Sequence, residues 1–380
     1  MFVWHPETGL EALTTALAAA LDGSGPAVLP LPSTTPAVLQ AILDEVRPGE
    51  PLEHDDVAVV MTTSGSTGTP KGVLLTADNL RSSAVATAGH LGGEGSWLLA
   101  LDPGHVAGLQ VVVRSLLAAT EPTAYRPADG FTSKGFCAAV AGMPSGWRCT
   151  SLVPTQLVRL LPDEEAVAAL RTFDAVLLGG AATAPALLDA ATAAGIRVTT
   201  TYGMSETSGG CVYDGTPLPG ASFSLEDGRI SLHGPMVAAG YRRRPELTAE
   251  HFAGGAYLTN DAGEVGPDGR LRVLGRIDDI VVSGGENVAL PAVEAAALRS
   301  LKVLEAAAFG RPDEEWGTRV ELAVVPRDPA DPPDLAELRA TVAAEAGRAA
   351  APRRLHLLDR LPLLAAGKVD RIALRGLPER

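Results

Sequence analysis

At 380 residues the chain is long enough for two or three domains, and 46% hydrophobic residues with only 4% aromatics describe a core built from Ala, Val and Leu. A net charge of −14 argues against a nucleic-acid partner, because phosphate backbones demand a basic face. No apolar run approaches the ~18 residues that span a bilayer, the first residues lack the basic and apolar regions of a secretory signal, and Cys137, Cys149 and Cys211 are too scattered for a disulfide frame or a zinc site; a cytosolic protein without a membrane partner is expected.

Residues 1–50 predict a helix over Leu10 to Leu21, a Pro-rich connector from Pro26 to Pro36 and a second helix from Ala37 to Val46, with no motif among them. Asp56 to Met61 is an almost unbroken apolar run, which reads as a strand buried on both faces. It leads into Ser64-Gly65-Ser66-Thr67-Gly68-Thr69-Pro70-Lys71-Gly72, read as a loop between that strand and a helix capped by Thr76 or Asp78 and running to His90. Glycines that let the backbone approach closely, hydroxyls and one cation together suit a polyphosphate. The usual GxxxxGK[ST] pattern fails, since Pro70 stands where its second glycine belongs and Gly72 follows the lysine. By composition alone, a Gly/Ser-rich surface turn would be the default. Lysine usage favours a role: Lys71, Lys134, Lys302 and Lys368 are the only lysines among 31 basic residues, and a compact ammonium is not interchangeable with a guanidinium.

Trp97 to Leu101 reads as a strand, Asp102 to His105 as a turn, and the residues up to Leu117 as a helix. Strands at Thr150 to Val153, Ala175 to Leu178 and Ile196 to Thr201 then alternate with helices from Pro154 to Leu161 and Pro185 to Ala194, which predicts right-handed βαβ units and a parallel sheet. Two loops follow such strands, one with Gly179-Gly180-Ala181 and one with Tyr202-Gly203-Met204-Ser205-Glu206. Ligands of open parallel sheets bind at these carboxyl ends, so the loops are expected to converge on one site. Read without context, the second loop is as easily a turn with capping Ser and Glu.

From Gly220 the pattern changes to short strands and turns, a smaller β subdomain. The basic run Arg242-Arg243-Arg244 is read as a solvated loop. Tyr257-Leu258-Thr259-Asn260-Asp261 and Gly275-Arg276-Ile277-Asp278-Asp279 carry the next candidate residues, although an Arg beside two Asp is also what a surface ion pair of small worth looks like. The domain boundary is placed at Ile277/Asp278, giving residues 1–277 and 278–380; the second part holds Ser283-Gly284-Gly285, helices from Pro291 to Leu301 and Leu335 to Ala349, a Pro/Asp-rich connector from Pro326 to Asp334, and a tail ending Gly367-Lys368-Val369-Asp370-Arg371.

The ordered string Ser64 to Gly72, with Tyr202 to Glu206, Thr259 to Asp261 and Pro362 to Arg371, resembles the adenylate-forming superfamily of acyl-CoA synthetases, peptide-synthetase adenylation domains and luciferases. It departs from that pattern at Ser205 for Thr, at Asn260 for Gly, and at Leu363 and Leu364 for a basic residue and Thr. The resemblance implies an α/β fold: a large N-terminal domain of parallel-rich sheets with a small β subdomain, and a small mobile α+β C-terminal domain. It also implies a ligase using ATP, Mg²⁺ and CoA. On it, Ser64, Gly65, Ser66, Thr67, Gly68, Thr69 and Lys71 form the phosphate loop, with Lys71 on the β- and γ-phosphates; Tyr202 stacks on the adenine, and Gly180, Ala181, Gly203 and Ser205 also bind the nucleotide; Asp261 takes the ribose, Arg276 the ribose or a phosphate, and Glu206 the Mg²⁺. His105, after Pro103 and before Gly108, lines the acyl pocket; Lys368 serves acyl-AMP formation; Asp278 is the hinge; and Gly284 and Gly285 serve the CoA thiol half-reaction after the small domain rotates. Trp97 to Arg114 and Ser151 to Leu157 further resemble the o-succinylbenzoate–CoA ligase branch, which implies an aromatic carboxylate substrate and a step of menaquinone biosynthesis, with Arg114 and Arg148 as candidates for its second carboxylate. Another aryl- or small-acid CoA ligase, or a catalytically silent nucleotide-binding regulator of the same fold, stays open, as does a homodimer.

Overall fold

A computed structural model describes residues 1–64, 70–125, 130–362 and 369–378. It divides into two compact units: Met1–Ser224 with Ser231–Thr259 and Pro267–Leu271, and Leu225–Ile230 with Asn260–Gly266 and Arg272–Arg380.

In the first unit, strands β1 (Phe2–Trp4), β2 (Val28–Pro30), β3 (Val57–Ser64) and β4 (Pro70–Thr76) are consecutive neighbours in one sheet. β1 and β2 lie inside stretches that the sequence reads as motif-free, and β2 falls within the Pro-rich connector. The segment after β3 also differs from expectation. Pro70, Lys71 and Gly72 do not belong to a strand–loop–helix unit; they open β4, which pairs antiparallel with β3 through Thr63↔Lys71 and Ser64↔Pro70. The helix then starts at Ala77, capped by Thr76, whose hydroxyl accepts from the Asn79 backbone while the Asn79 side chain accepts from the Thr76 backbone.

The second sheet is seven-stranded. It holds β5 (Ser96–Leu99), β6 (Thr123–Ala124), β7 (Arg148–Leu152), β8 (Ala175–Leu178), β9 (Val198–Met204), β10 (Gly209–Tyr213) and β11 (Thr216–Pro217), in the order β11-β10-β9-β8-β7-β5-β6. The pairs among β5 to β9 are parallel, as the strand–helix alternation predicts, while β10 returns antiparallel to β9. Helices Pro154–Leu160, Glu164–Leu170 and Pro185–Ala193 connect its strands, and a cluster of Leu98, Phe136, Leu157, Phe173, Val176 and Leu178 closes its core. Each of these six side chains is at most 1% exposed, so water is excluded from that face of the sheet.

β12 (Ser222–Glu226), β13 (Arg229–His233), β14 (Gly240–Tyr241), β15 (Phe252–Ala253), β16 (Ala256–Val265) and β17 (Leu271–Arg276) are the short strands that the change of pattern after Gly220 announces. β14 joins the first sheet, antiparallel to β4, with Tyr241↔Val73 and Gly240↔Leu74. The expectation of a solvated basic run is overturned here. Arg242 is 2% exposed, and its guanidinium donates to the carbonyls of Val46, Pro51, Glu50 and Arg47 and to the Glu53 carboxylate. A planar fork with five donors suits a cluster of carbonyls, which is what the tip between the helix Pro36–Val46 and β3 offers it.

The second unit contains β18 (Ile280–Ser283), β19 (Glu286–Ala289), β20 (Val303–Asp313), β21 (Gly317–Pro326) and β22 (Arg354–Leu357), in a sheet of order β19-β18-β21-β20 with β22 parallel to β21. Helices Leu290–Ala297 and Leu335–Ala346 pack on it through Val293, Leu322, Val324, Leu338 and Val342.

Candidate active site

The carboxyl ends of β5, β7, β8 and β9 bring four of the expected segments to one edge of the second sheet. His105 is the exposed N-cap of the helix Val106–Leu117, after the turn that follows β5. Asp102 fixes that turn by accepting from the backbones of Gly104 and Ser33. Gly108 packs on it so closely that a Cβ would stand 2.3 Å from the Asp102 carbonyl oxygen. Gln156 ties the start of the next helix to β5, accepting from the Val153 backbone and donating to the Ala100 carbonyl at 2.9 Å. Gly180 follows β8 with φ +80°, a conformation that glycine adopts freely, and it and Ala181 are exposed. Tyr202 and Gly203 are the end of β9 rather than a loop after it; a Cβ on Gly203 would lie 2.1 Å from the Gly209 carbonyl oxygen.

Ser205 and Glu206 belong to the single helical turn Ser205–Thr207, both 8% exposed. The turn is held by its backbone: the Glu206 carbonyl accepts from Ala238, and the Ser208 carbonyl accepts from Gln110 at 2.8 Å and from the Ser83 hydroxyl. Asn79 steadies the facing segment by donating to the carbonyls of Pro235 and Val237. Together these place a buried carboxylate where a solvated one would be the rule.

Lys71 and Glu206 meet through a residue that the sequence places in a merely structural stretch. Lys71 and Val73 are two apart on β4 and so share a face, and Tyr241 pairs opposite Val73, which makes it a diagonal neighbour of Lys71. The lysine Nζ lies 5.3 Å from the centroid of the Tyr241 ring, within cation–π range. The Tyr241 hydroxyl donates to Glu206 Oε1 at 2.8 Å and lies 3.2 Å from the Tyr257 hydroxyl. Phe252 and His251 pack edge-on against the Tyr241 ring, while His251 stacks on Tyr257 and its Nδ1 meets the Leu258 carbonyl at 2.8 Å.

Burial pushes the Glu206 carboxyl above the usual range, against the hydrogen bond from Tyr241 and the positive charge of Lys71. Burial beside Glu206 also drives the Tyr241 phenol strongly upward, so it is a hydrogen-bond donor throughout the working pH range. Among the described residues Glu206 makes no ion pair, and no group of three or more His, Cys, Asp or Glu is gathered as a metal cage. A desolvated carboxylate with a lysine nearby but no direct ion pair suits Mg²⁺, a hard ion that takes one or two protein carboxylates and completes its octahedron with phosphate oxygens and water.

In the second unit, Asp261 and Asp278 lie within 4 Å of Arg276, at 3.9 and 3.8 Å, with the arginine and Asp278 well exposed. Asn260, the departure from the family pattern, sits within β16, and its Oδ1 accepts from Arg229 at 2.9 Å. Gly284 and Gly285 form the tight turn between β18 and β19 with φ +60° and +84°. Ser64 closes β3; Gly65, Ser66, Thr67, Gly68, Thr69 and Lys368 lie outside the described residues, as do Leu363 and Leu364. Arg114 and Arg148, the candidates for a second carboxylate, both have partners within the fold. Arg114 stacks at 4.9 Å on Trp97 and lies 3.5 Å from the Tyr213 hydroxyl, and Arg148 opens β7 with its guanidinium on the carbonyls of Met143 and Pro144.

A lysine and a buried carboxylate beside the carboxyl ends of a parallel sheet, in a chain with a second, smaller α+β unit, is the arrangement expected of an adenylate-forming enzyme. The chain belongs to the AMP-binding enzyme family: the family's main model matches residues 14–241 and its C-terminal domain model matches residues 292–368. It is 47% identical over 367 residues to a Mycobacterium tuberculosis protein named a probable 2-succinylbenzoate–CoA ligase, covering 95% of this chain and 94% of that one. It is 33% identical over 407 residues to the sulfoacetate–CoA ligase of Cupriavidus necator, covering 98% and 77%. Among solved structures, the o-succinylbenzoate CoA synthetase of Bacillus subtilis with its acyl-adenylate intermediate aligns at TM-score 0.78 and 28% identity, over 95% of this chain and 81% of that one; the same enzyme has been solved with ATP and magnesium.

Proposed function

We propose that the chain is an ATP-dependent acid–CoA ligase that converts 2-succinylbenzoate to its CoA thioester, a step of menaquinone biosynthesis in the cytoplasm. The observation that carries the reaction class is the pairing of Lys71 with the buried Glu206 across Tyr241, beside the carboxyl ends of the parallel strands. The choice of acid rests on the likeness to the ligases named for it.

In the first half-reaction a carboxylate oxygen of the acid attacks the α-phosphorus of ATP, the bond to the bridging oxygen breaks, and pyrophosphate leaves. In the second the CoA thiolate attacks the acyl carbon and AMP leaves. Such chemistry is accelerated mainly by positioning and by charge stabilisation. Lys71, fixed by its strand, would meet the phosphates that leave as pyrophosphate. Glu206 would hold Mg²⁺, which when bound draws phosphate oxygens together and offsets their charge. Tyr202 would face the adenine and His105 the acid. Asp261 and Arg276 are assigned to the ribose, Lys368 to adenylation, Asp278 to the hinge, and Gly284 and Gly285 to the thiol half-reaction.

A second reading, a ligase for a different small acid, draws on the weaker likeness to a sulfoacetate ligase, 33% identical against 47% for the first. Pyrophosphate release over a panel of carboxylic acids, followed by detection of the CoA thioester, separates the two. Turnover with 2-succinylbenzoate well above the rest supports the first reading. Turnover with other acids alone overturns the substrate, and none with any acid overturns the enzyme.

A further inference from the structure

The Tyr241 side chain is 3% exposed for the residue as a whole, and its hydroxyl is spent on Glu206 rather than on the backbone. Its ring faces the Lys71 ammonium, and its edges are braced by Phe252 and His251. β14, which carries it, is only two residues long, yet Tyr241 is fixed at both ends of its backbone: the amide donates to the Thr248 hydroxyl at 2.9 Å, and the residue sits in register with Val73 of β4. Gly240 makes that approach possible, since a Cβ there would stand 2.6 Å from Thr248 Cγ2. A buried phenol donor on a buried carboxylate orients it more sharply than water would, because charge-assisted hydrogen bonds strengthen in a low dielectric.

We propose that Tyr241 is a positioning residue for metal–nucleotide binding: its hydroxyl holds one oxygen of Glu206 so that the carboxylate presents to Mg²⁺, while its ring holds the Lys71 ammonium toward the same phosphates. The inference rests on the reading of Glu206 and Lys71 given above. It differs from a packing role in a measurable way. Packing would support the nucleotide pocket whether or not metal is present, whereas orientation of Glu206 matters only to the metal-bound nucleotide.

Titration calorimetry of ATP binding, with Mg²⁺ and in EDTA, gives for each variant the ratio of the two dissociation constants. Tyr241→Phe keeps the ring and deletes the hydroxyl; the ratio is expected to fall about tenfold or more, as the loss of a hydrogen bond to a charged group implies, with the EDTA value within about threefold of wild type. In a double-mutant cycle with Glu206→Gln, the Tyr241→Phe effect on the ratio disappears. Tyr257→Phe leaves the bond to Glu206 in place and lowers the ratio far less. An unchanged ratio in Tyr241→Phe, equal weakening with and without Mg²⁺, or an equal fall in Tyr257→Phe overturns the inference. A wild-type protein indifferent to Mg²⁺ overturns the reading of Glu206 itself.

Discussion

Arg242 tests whether a guanidinium, rather than apolar packing, secures the tip of the first sheet. Its Nε donates to the Val46 carbonyl at 3.0 Å, one Nη to the Pro51 carbonyl at 2.6 Å and to Glu53 Oε2 at 2.8 Å, and the other Nη to the carbonyls of Glu50 and Arg47 at 3.2 and 3.4 Å. Truncation to Ala leaves these carbonyls and a partly buried carboxylate short of donors. Each orphaned group costs about 1–3 kcal/mol, but the costs do not add, and breaking a buried charged pair sets a scale of about 3–5 kcal/mol. At about 2–4 °C per kcal/mol for a domain of this size, the melting temperature should fall by roughly 10 °C. Arg242→Lys keeps the charge, yet a single ammonium cannot span the five acceptors and should recover less than half of the loss. The penalty also depends on pH with a definite sign. Although partial burial works the other way, hydrogen bonds from the Arg242 guanidinium and the Arg243 backbone hold the Glu53 carboxyl below its ordinary 4.5. A carboxyl depressed in the folded state stabilises above its unfolded value and ceases to do so as pH falls through the folded one. The gap between wild type and Arg242→Ala should therefore narrow below pH 4.5. Differential scanning fluorimetry and urea midpoints across that range decide the matter: a shift under 2 °C at neutral pH, or a lysine variant as stable as wild type, would refute the clamp.

Arg371 bonds Glu294 Oε1 at 2.8 Å, Asp279 Oδ1 at 3.2 Å and the Ala308 carbonyl, so Arg371→Ala should cost the second unit roughly 2–4 kcal/mol by urea titration. Burial already raises the Glu294 carboxyl, against Arg371; without the arginine it should rise further, and because a raised carboxyl loses stability as pH climbs, the penalty should be larger at pH 7 than at pH 5. An equal penalty at both values would count against that coupling. Gly203→Ala should abolish ATP binding and lower stability, since its Cβ would meet the Gly209 carbonyl at 2.1 Å; a calorimetric titration matching wild type would disprove it. Burial pushes the Cys149 and Cys211 thiols up to about 12 and raises Cys137 as well, so Ellman's reagent should label the native protein slowly and all three thiols after unfolding; fast native labelling at pH 8 would contradict this.

The parallel core of the second sheet, β5 and β7 to β9, was legible because its signal is local, whereas β6, β10 and β11 were not read from the sequence. Strand-length segments at β5, β7, β8 and β9, apolar at β5 and β8, alternate with helices opened by Pro154 and Pro185, and that alternation admits few topologies. β4 was not legible, because Pro70 and Gly72 read as breakers; ladder pairing with β3 overrides that local preference, and Pro70 tolerates it as the first residue of its strand. Arg242 was hidden for another reason. Within Arg242-Arg243-Arg244 nothing local distinguishes the residue that is buried from the two that are not, and its acceptors lie about 190 positions earlier in the chain.

The same distinction runs through the site. Lys71 and Glu206 lie in recognisable motifs, and each backbone is held by hydrogen bonds of its own, β4 to β3 for one and a single helical turn for the other. What aims the two side chains is a ring 35 positions beyond the glutamate, delivered by the pairing of a two-residue strand. A tyrosine after glycine in a short strand has the same local pattern whether its hydroxyl meets solvent or a carboxylate. Only the register Tyr241↔Val73 puts it diagonal to Lys71, so the residue that orients the charges is the one whose role depends wholly on tertiary structure.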